Sequence, residues 1–236
     1  MFLAIMALLG AGSSLWVGIP IYRQNVAIRE LKRLGAQLST RPGGPDWLRD
    51  WLGDEHMLGF DHVESVNFYK TAIDDEHLWC CRNLKDLNLL YLHKTRITDA
   101  GLKQLSGLKN LRQITLGETA VTDAGLAHLK HLTKLQDITL PYTRVTDGGL
   151  RHLEGLRDWE SLQLEHTEIT DDGIRACARF PKLESLFLSS TRVTDAGLIH
   201  LQGMTCIKRL DVLNTRVTDT GVADLQRALP ELWINK

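Results

Sequence analysis

The stretch TAVTDAGLAHLKHLTKLQDITLPY, residues 119–142, is followed at once by TRVTDGGLRHLEGLRDWESLQLEH, residues 143–166. The two align position for position. Threonines recur at 71, 95, 119, 143, 167, 191 and 215, always 24 residues apart. Around Thr119 stand Leu111, Ile114, Leu116, Val121, Gly125, Leu126, Leu129 and Leu132. This is the L-x-x-L-x-L-x-x-N/C-x-L pattern of stacked coils, with threonine at the Asn/Cys place.

Each residue type in the period has a mechanical reading. Ile114 and Leu116 alternate with Gln113, Thr115 and Gly117, so one strand face is buried and the other is free. The pattern predicts strands at 65–69, 89–93, 113–117, 137–141, 161–165, 185–189 and 209–213, with a partial eighth near Trp233 and Ile234. Leu126, Leu129 and Leu132 give the apolar stripe of a short helix. Thr122 suits its N-cap, and Asp123 sits in the first turn, where the helix dipole favours an anion. The hydroxyl of Thr119 is expected to turn inward and bond the backbone of the neighbouring coil. One repeat cannot bury its own leucines, so neighbours must stack. The fold class is therefore α/β: a leucine-rich-repeat solenoid over residues 65–236, with a parallel sheet on the concave face and short helices on the convex face.

Outward from the repeats, residues 23–64 read as an N-terminal helical cap. Val26 or Ala27, Ile28, Leu31 and Leu34 have helical spacing and end at Gly35. AQLS suits a short strand, and RPGGP a loop. DWLRDWLG suits a short helix from Asp46 to Gly53, whose apolar face would place Trp47 and Trp51 as plugs over the first core layer. Residues 2–22 carry no charge, and 21 residues at about 1.5 Å each span about 31 Å, close to the thickness of a bilayer core. They read as a single-pass transmembrane anchor, with domain boundaries at 1–22, 23–64 and 65–236. The small residues GAGSS would also suit signal-peptide cleavage, although Met1-Phe2 offers no basic start. Arg23, Arg29, Lys32 and Arg33 follow the span, which places the body on the cytoplasmic side. Trp16 and Tyr22 would suit an interfacial belt.

The formal net charge of -1 argues against a nucleic-acid partner, which needs a basic excess. Cys80, Cys81, Cys177 and Cys206 have no metal-ligand spacing. Cys81 and Cys177 fall on leucine positions of the repeat and read as small apolar core residues. No phosphate loop, dinucleotide fingerprint, zinc-protease helix or nucleophile elbow occurs. The reading assigns no catalytic residue, cofactor or metal site.

The run TDAGLxxLxxLxxLxxLxLxxTxVTDAGL, with AIRELKRLGAQL, PDWLRDWLGDEH and LQRALPEL around it, resembles the membrane-anchored leucine-rich-repeat proteins abundant in planctomycete-type bacteria. The repeats alone also resemble those of F-box leucine-rich-repeat proteins, but no F-box bundle has room before residue 65. The bacterial resemblance implies a membrane-tethered interaction module without catalytic residues.

In a repeat array the unrepeated positions carry function, and the outward sheet columns can be read straight down the sequence. Aromatic residues make up only 6% of the chain, so tyrosines on a sheet surface are notable as contact residues. The candidate partner-binding residues are Tyr69, Tyr91, His93, Tyr142, Glu165, His166, Phe187 and Asp211. The mixed, mildly polar surface suits a protein or peptide. The function expected is a membrane-anchored protein–protein interaction module. The alternative is an envelope spacer or self-association element. Glu165 and His166 beside Tyr142 also form an acid/base cluster, but no motif places a nucleophile with it.

Overall fold

The computed structural model describes the backbone of residues 14–236 and the side chains of residues 19–236. The chain begins with helix α1 (Ser14–Arg33), strand β1 (Gln37–Arg41), helices α2 (Asp46–Leu52) and α3 (Asp54–Met57), and strand β2 (His62–Asn67). A 3₁₀ turn (Asp75–Cys80) stands where the first repeat helix belongs. Strands and helices then alternate: β3 (Leu89–Tyr91), α4 (Asp99–Leu105), β4 (Gln113–Thr115), α5 (Asp123–Leu126), β5 (Asp137–Thr139) and α6 (Asp147–His152). They continue as β6 (Ser161–Gln163), α7 (Asp171–Cys177), β7 (Ser185–Phe187), α8 (Asp195–Leu198), β8 (Arg209–Asp211), α9 (Asp219–Ala228) and β9 (Trp233–Asn235).

The nine strands form one sheet in chain order. From β2 to β9 the pairing is parallel, and the register is the 24-residue period itself: Ile114 pairs with Ile138, and Ile138 with Leu162. From β3 to β7 the central residue of each three-residue strand is buried and its two neighbours are partly exposed. Leu126, Leu129 and Leu132 are fully buried, as are their equivalents Leu102, Leu105, Leu150, Leu153, Ile174 and Cys177, while Val222 of the last repeat is only partly buried. Burying one such side chain stabilises by about 1.5–3 kcal/mol, so the stacked leucine columns dominate the energetics. Trp159 takes a leucine position and packs against Phe180, with ring centroids 6.1 Å apart. The Cys80 thiol is pushed up to about 11 by burial, and that of Cys177 up to about 12, while burial also raises that of Cys81. These three buried cysteines are protonated fillers of apolar space.

The strands are shorter than the sequence pattern suggests because the chain turns inward early. Lys70, Lys94, Glu118, Tyr142, His166, Ser190 and Asn214 all have left-handed backbones, with φ between 54° and 59°. The threonines that follow are buried from Thr95 to Thr191 and part-buried at Thr71 and Thr215, and each donates its hydroxyl to a carbonyl three residues back in its own coil. Thr119 Oγ1 to the Leu116 oxygen is 2.5 Å, and Thr143 Oγ1 to the Leu140 oxygen is 2.7 Å. This corrects the expected inter-coil threonine bond.

The side-chain link between coils is made instead by the aspartate of the TD pair. Asp123 accepts from Thr146 N at 2.7 Å and Thr146 Oγ1 at 2.6 Å in the next repeat. The same two bonds recur from Asp75, Asp99, Asp147, Asp171 and Asp195 to the threonine that caps the following helix. That threonine hydroxyl also accepts from the backbone of its own helix, as Thr122 does from Ala124 N at 3.3 Å. The glycine of TDAG now has a reason. A Cβ on Gly125 would lie 2.3 Å from Asp99 Oδ1 and one on Gly149 2.6 Å from Asp123 Oδ1. Glycine in a helix costs about 1 kcal/mol relative to alanine, and here it makes room for a carboxylate that ties two coils together.

The segment before the repeats joins their core. Ala27, Ile28 and Leu31 of α1 enter the core. Gly35 N bonds the Lys32 carbonyl, and Ala36 N the Leu31 carbonyl, a Schellman closure that uses the positive φ of Gly35. Strand β1 runs antiparallel to β2 and covers the first edge of the sheet. The tryptophans differ from expectation: Trp47 is 63% and Trp51 66% exposed, so neither is a plug. Only Leu48 of that helix is buried. Its arginine faces inward instead, where Arg49 bonds Asp61 and the Gly43 carbonyl.

Residues 2–13 of the expected anchor lie outside the described residues. Residues 14–22 form the first half of α1, which runs through Pro20 and position 22 as one helix. Among the described residues no helix is long and apolar enough to cross a membrane.

Candidate functional site

The free face of the sheet is built by the strand alternation. Tyr91 lies beside Asn67 and Thr115, Gln163 beside Phe187, and Phe187 beside Asp211, through direct strand pairing. One column over, where each strand runs into its turn, stand Tyr69, His93, Gly117, Pro141, Glu165 and Ser189. Tyr142 and His166 occupy the left-handed rim positions. The candidate residues therefore share one surface but divide into two groups.

The first group lies toward the cap. The Tyr69 ring stacks on His93 with centroids 5.5 Å apart, and Lys70 Nζ sits 4.8 Å from the Tyr69 centroid. These rings, with Asn67, Tyr91, Thr115 and Thr139, enclose a hollow of about 250 Å³. A Cβ on Gly117 would come within 2.5 Å of His93 Nδ1 and 2.8 Å of Pro141 Cγ, so this glycine lets His93 lie flat along the sheet. On the rim Glu118 contacts both His93 Nε2, at 3.3 Å, and Lys94 Nζ, at 3.0 Å. The Glu118 carboxylate raises the pKa of Lys94. Thr115 Oγ1 is buried and has no hydrogen-bond partner, which is unusual for a hydroxyl.

The second group lies further along. Tyr142 stacks on His166 at 4.1 Å, the planes only 12° apart. Beneath that rim, Glu165 Oε2 is buried without a partner. Burial raises the Glu165 pKa, the Asp211 charge adds to the rise, and a backbone hydrogen bond and His166 oppose it. Asp211 goes the other way. Burial would raise its pKa, but hydrogen bonds from Ser189, Leu213 N and Asn235 outweigh that and leave it lowered. Burial and the Glu160 charge raise Asp137 on the same face. Carboxylates thus concentrate on the distal half of the sheet and ring stacks on its rim.

Among the described residues no serine, threonine or cysteine side chain is hydrogen-bonded to a histidine, so no nucleophile–base pair is assembled. Nor do any His, Cys, Asp and Glu residues among them group as a metal site would require. The helical column of His128, His152 and His200 is interrupted by Ala176, which is buried, and is preceded by Gln104, which bonds the Asp75 carbonyl. Sequence reasoning missed Gly117, Thr115 and Ser189. The break in the side-chain column at Gly117 was the available signal for the first.

No protein-family model matches this chain, and no curated protein matches it. Among solved structures it is similar to an internalin, InlF, from Listeria monocytogenes, with a TM-score of 0.57 and 19% identity over 73% of this chain and 53% of that one. It is also similar to internalin C2 from the same organism, with a TM-score of 0.56 and 19% identity over 73% of this chain and 81% of that one. The chain thus spans about half the length of the first of these. Identity this low speaks to architecture alone, and it agrees with the strand register and the coil ladder: the chain has the leucine-rich-repeat solenoid fold.

Proposed function

We propose that this chain is a non-enzymatic interaction module of bacterial type that binds a protein or peptide across the free face of its sheet. The observation that carries this reading is the pair of ring stacks, one beside the rim and one on it. Tyr69 and Tyr142 are 47% and 55% exposed, yet each is held flat against a histidine. Rigid aromatic surface left in water is the composition of an interface hot spot. Tyr91 beside the first stack and Phe187 one strand beyond the second supply further half-buried apolar surface. The internalin likeness supports a scaffold role at the level of fold.

The reading extends to a membrane tether through residues 2–22, supported by their lack of charge. The basic residues after them favour a cytoplasmic body. Proteolysis of tagged repeats in intact cells tests the side: cleavage from outside would refute it.

The binding test uses the full chain, because α1 contributes Ala27, Ile28 and Leu31 to the core and a fragment beginning near residue 40 would lose that layer. The full chain retrieves a partner, and the Y69A/Y91A/Y142A/F187A variant binds it at least about 100-fold more weakly, as loss of several hot-spot aromatics implies. Undiminished binding by a folded variant would refute the sheet-face reading. Concentration-dependent assembly without any other partner would favour a self-association element instead.

A further inference from the structure

The exposed tryptophans of the cap have no role in the reading above. Trp47 and Trp51 stand four residues apart on one face of α2 and are both largely exposed. Trp79, at the end of the first 3₁₀ turn, is 38% exposed. Together with Tyr22, Arg23, Val26 and Arg82 it lines a shallow hollow of about 260 Å³ beside α1. Ile19 and Tyr22 of α1 are exposed as well. Exposed aromatic surface gathered at one end of a domain marks a contact site.

These groups flank the same stretch of α1. On one side Trp79 and Arg82 meet the helix at residues 22–26. On the other, a Cβ on Gly59 would fall 2.5 Å from the Ile21 carbonyl, so the 59–61 loop lies against the helix. Asp61 in that loop is held by Gln24 of α1 and by Arg49 of α2. Trp79 therefore stands against residues 22–26, and Trp47 and Trp51 sit on a helix tied through Arg49 and Asp61 to the loop that lies on Ile21, where the uncharged run of residues 2–22 ends.

We propose that the capped end of the solenoid is a membrane-contacting surface on which Trp47, Trp51 and Trp79 lie at the headgroup level of the bilayer that residues 2–22 enter. This rests on the tether reading and adds the orientation of the body: cap against the bilayer, free sheet face extending away from it. The chemistry fits, because indole rings with one polar edge concentrate at the membrane–water boundary. That boundary extends about 5–7 Å beyond the hydrocarbon on each side, comparable to the rise of α1 from residue 22 to 26 at about 1.5 Å per residue. Asp46 and Asp50 of α2 stand against Arg23 and Arg82 beside the hollow, so the face has no charge excess that requires an anionic lipid.

The test uses the full chain in phosphatidylcholine vesicles, with and without brominated acyl chains near the headgroup, and reads quenching of tryptophan emission. Trp233 is a built-in control, since eight strand spacings of about 4.8 Å place β9 about 38 Å from β1. The proposal predicts that Trp16, Trp47, Trp51 and Trp79 are quenched and that Trp159 and Trp233 are not. The quenched fraction should then fall about twofold in the W47F/W51F/W79F variant, from about four of six indoles to about one of three. These side chains are exposed, so the variant should fold, and its thermal transition in detergent checks this. W47F/W51F and W79F measured separately give independent drops. A fraction that does not fall while the chain still floats with vesicles overturns the proposal and leaves the tether standing. The face would then be covered by the chain's own residues 1–13 or by a second copy. A chain that does not float overturns both.

Discussion

Replacing Gly125 by alanine tests the link between coils most sharply. In the intact chain the new Cβ would lie 2.3 Å from Asp99 Oδ1 and 3.0 Å from Leu102 Cδ1. The carboxylate must withdraw and so give up its bonds to Thr122 N, at 2.8 Å, and Thr122 Oγ1, at 2.7 Å. Hydrogen bonds to a charged acceptor contribute about 1.5–3 kcal/mol each. At this half-exposed site the pair is taken at the low end, about 3 kcal/mol, against which alanine recovers about 1 kcal/mol of helix propensity. Gly125→Ala should therefore cost about 2 kcal/mol. Asp99→Ala removes the same two bonds and should cost about 3 kcal/mol. In that background Gly125→Ala meets no carboxylate, so only the propensity gain remains and the substitution should stabilise by about 1 kcal/mol. Urea unfolding of the two single variants and the double variant closes the cycle. The predicted interaction is about 3 kcal/mol, well outside the additivity of independent sites. Additive costs within about 0.5 kcal/mol would refute the claim that the repeat glycine exists to seat the preceding aspartate.

Four further outcomes follow from the same geometry. Ser190→Gly should raise stability by about 0.5–1 kcal/mol, because it relieves a left-handed backbone on a residue with a Cβ; calorimetry showing no rise would contradict this. The Thr218 hydroxyl and backbone N–H hold the Asp195 pKa down, so its stabilisation is present above the usual carboxylate value of about 3.9 and is lost as pH falls through the lower folded value. Thr218→Val should therefore flatten the acid limb of a stability–pH curve. Glu165 has the opposite sign: its raised pKa means that its ionised form is a burden on the fold above that pKa, relieved as the pH falls. Glu165→Gln should accordingly be more stable than the parent at neutral pH, with the advantage shrinking in acid. Gly117→Ala should push His93 off the sheet and weaken partner binding more than it weakens the fold, as titration and thermal melting together would show.

Much of this fold was legible because a 24-residue period fixes register as well as element type. The buried faces of Ile114 and Leu116, the Thr122 cap and the leucine-like Cys81 and Cys177 all follow from column membership alone. What the period could not reveal was direction across coils. The same Thr-Asp pair satisfies a cap reading whether Asp123 serves its own helix or reaches Thr146 in the next, and only the stacking distance decides. The cap lies outside the period and has no column to read. There, helical spacing put Trp47 and Leu48 on one apolar face, whereas packing buries Leu48 alone and turns Arg49 inward to Asp61. In the candidate site the outward residues were readable from strand alternation. The ring stacks were not, because they depend on the left-handed turn that brings Tyr142 over His166.

The central claim is that the unrepeated side chains of the free sheet face meet the partner. Hydroxyl-radical footprinting of the full chain, alone and with its captured partner, addresses it directly. Tyr69 and Tyr142, exposed in the free chain, should lose most of their oxidation on binding, while exposed Ile199 on the helical side keeps its own. Unchanged oxidation of both tyrosines, with protection at Ile199, would contradict it.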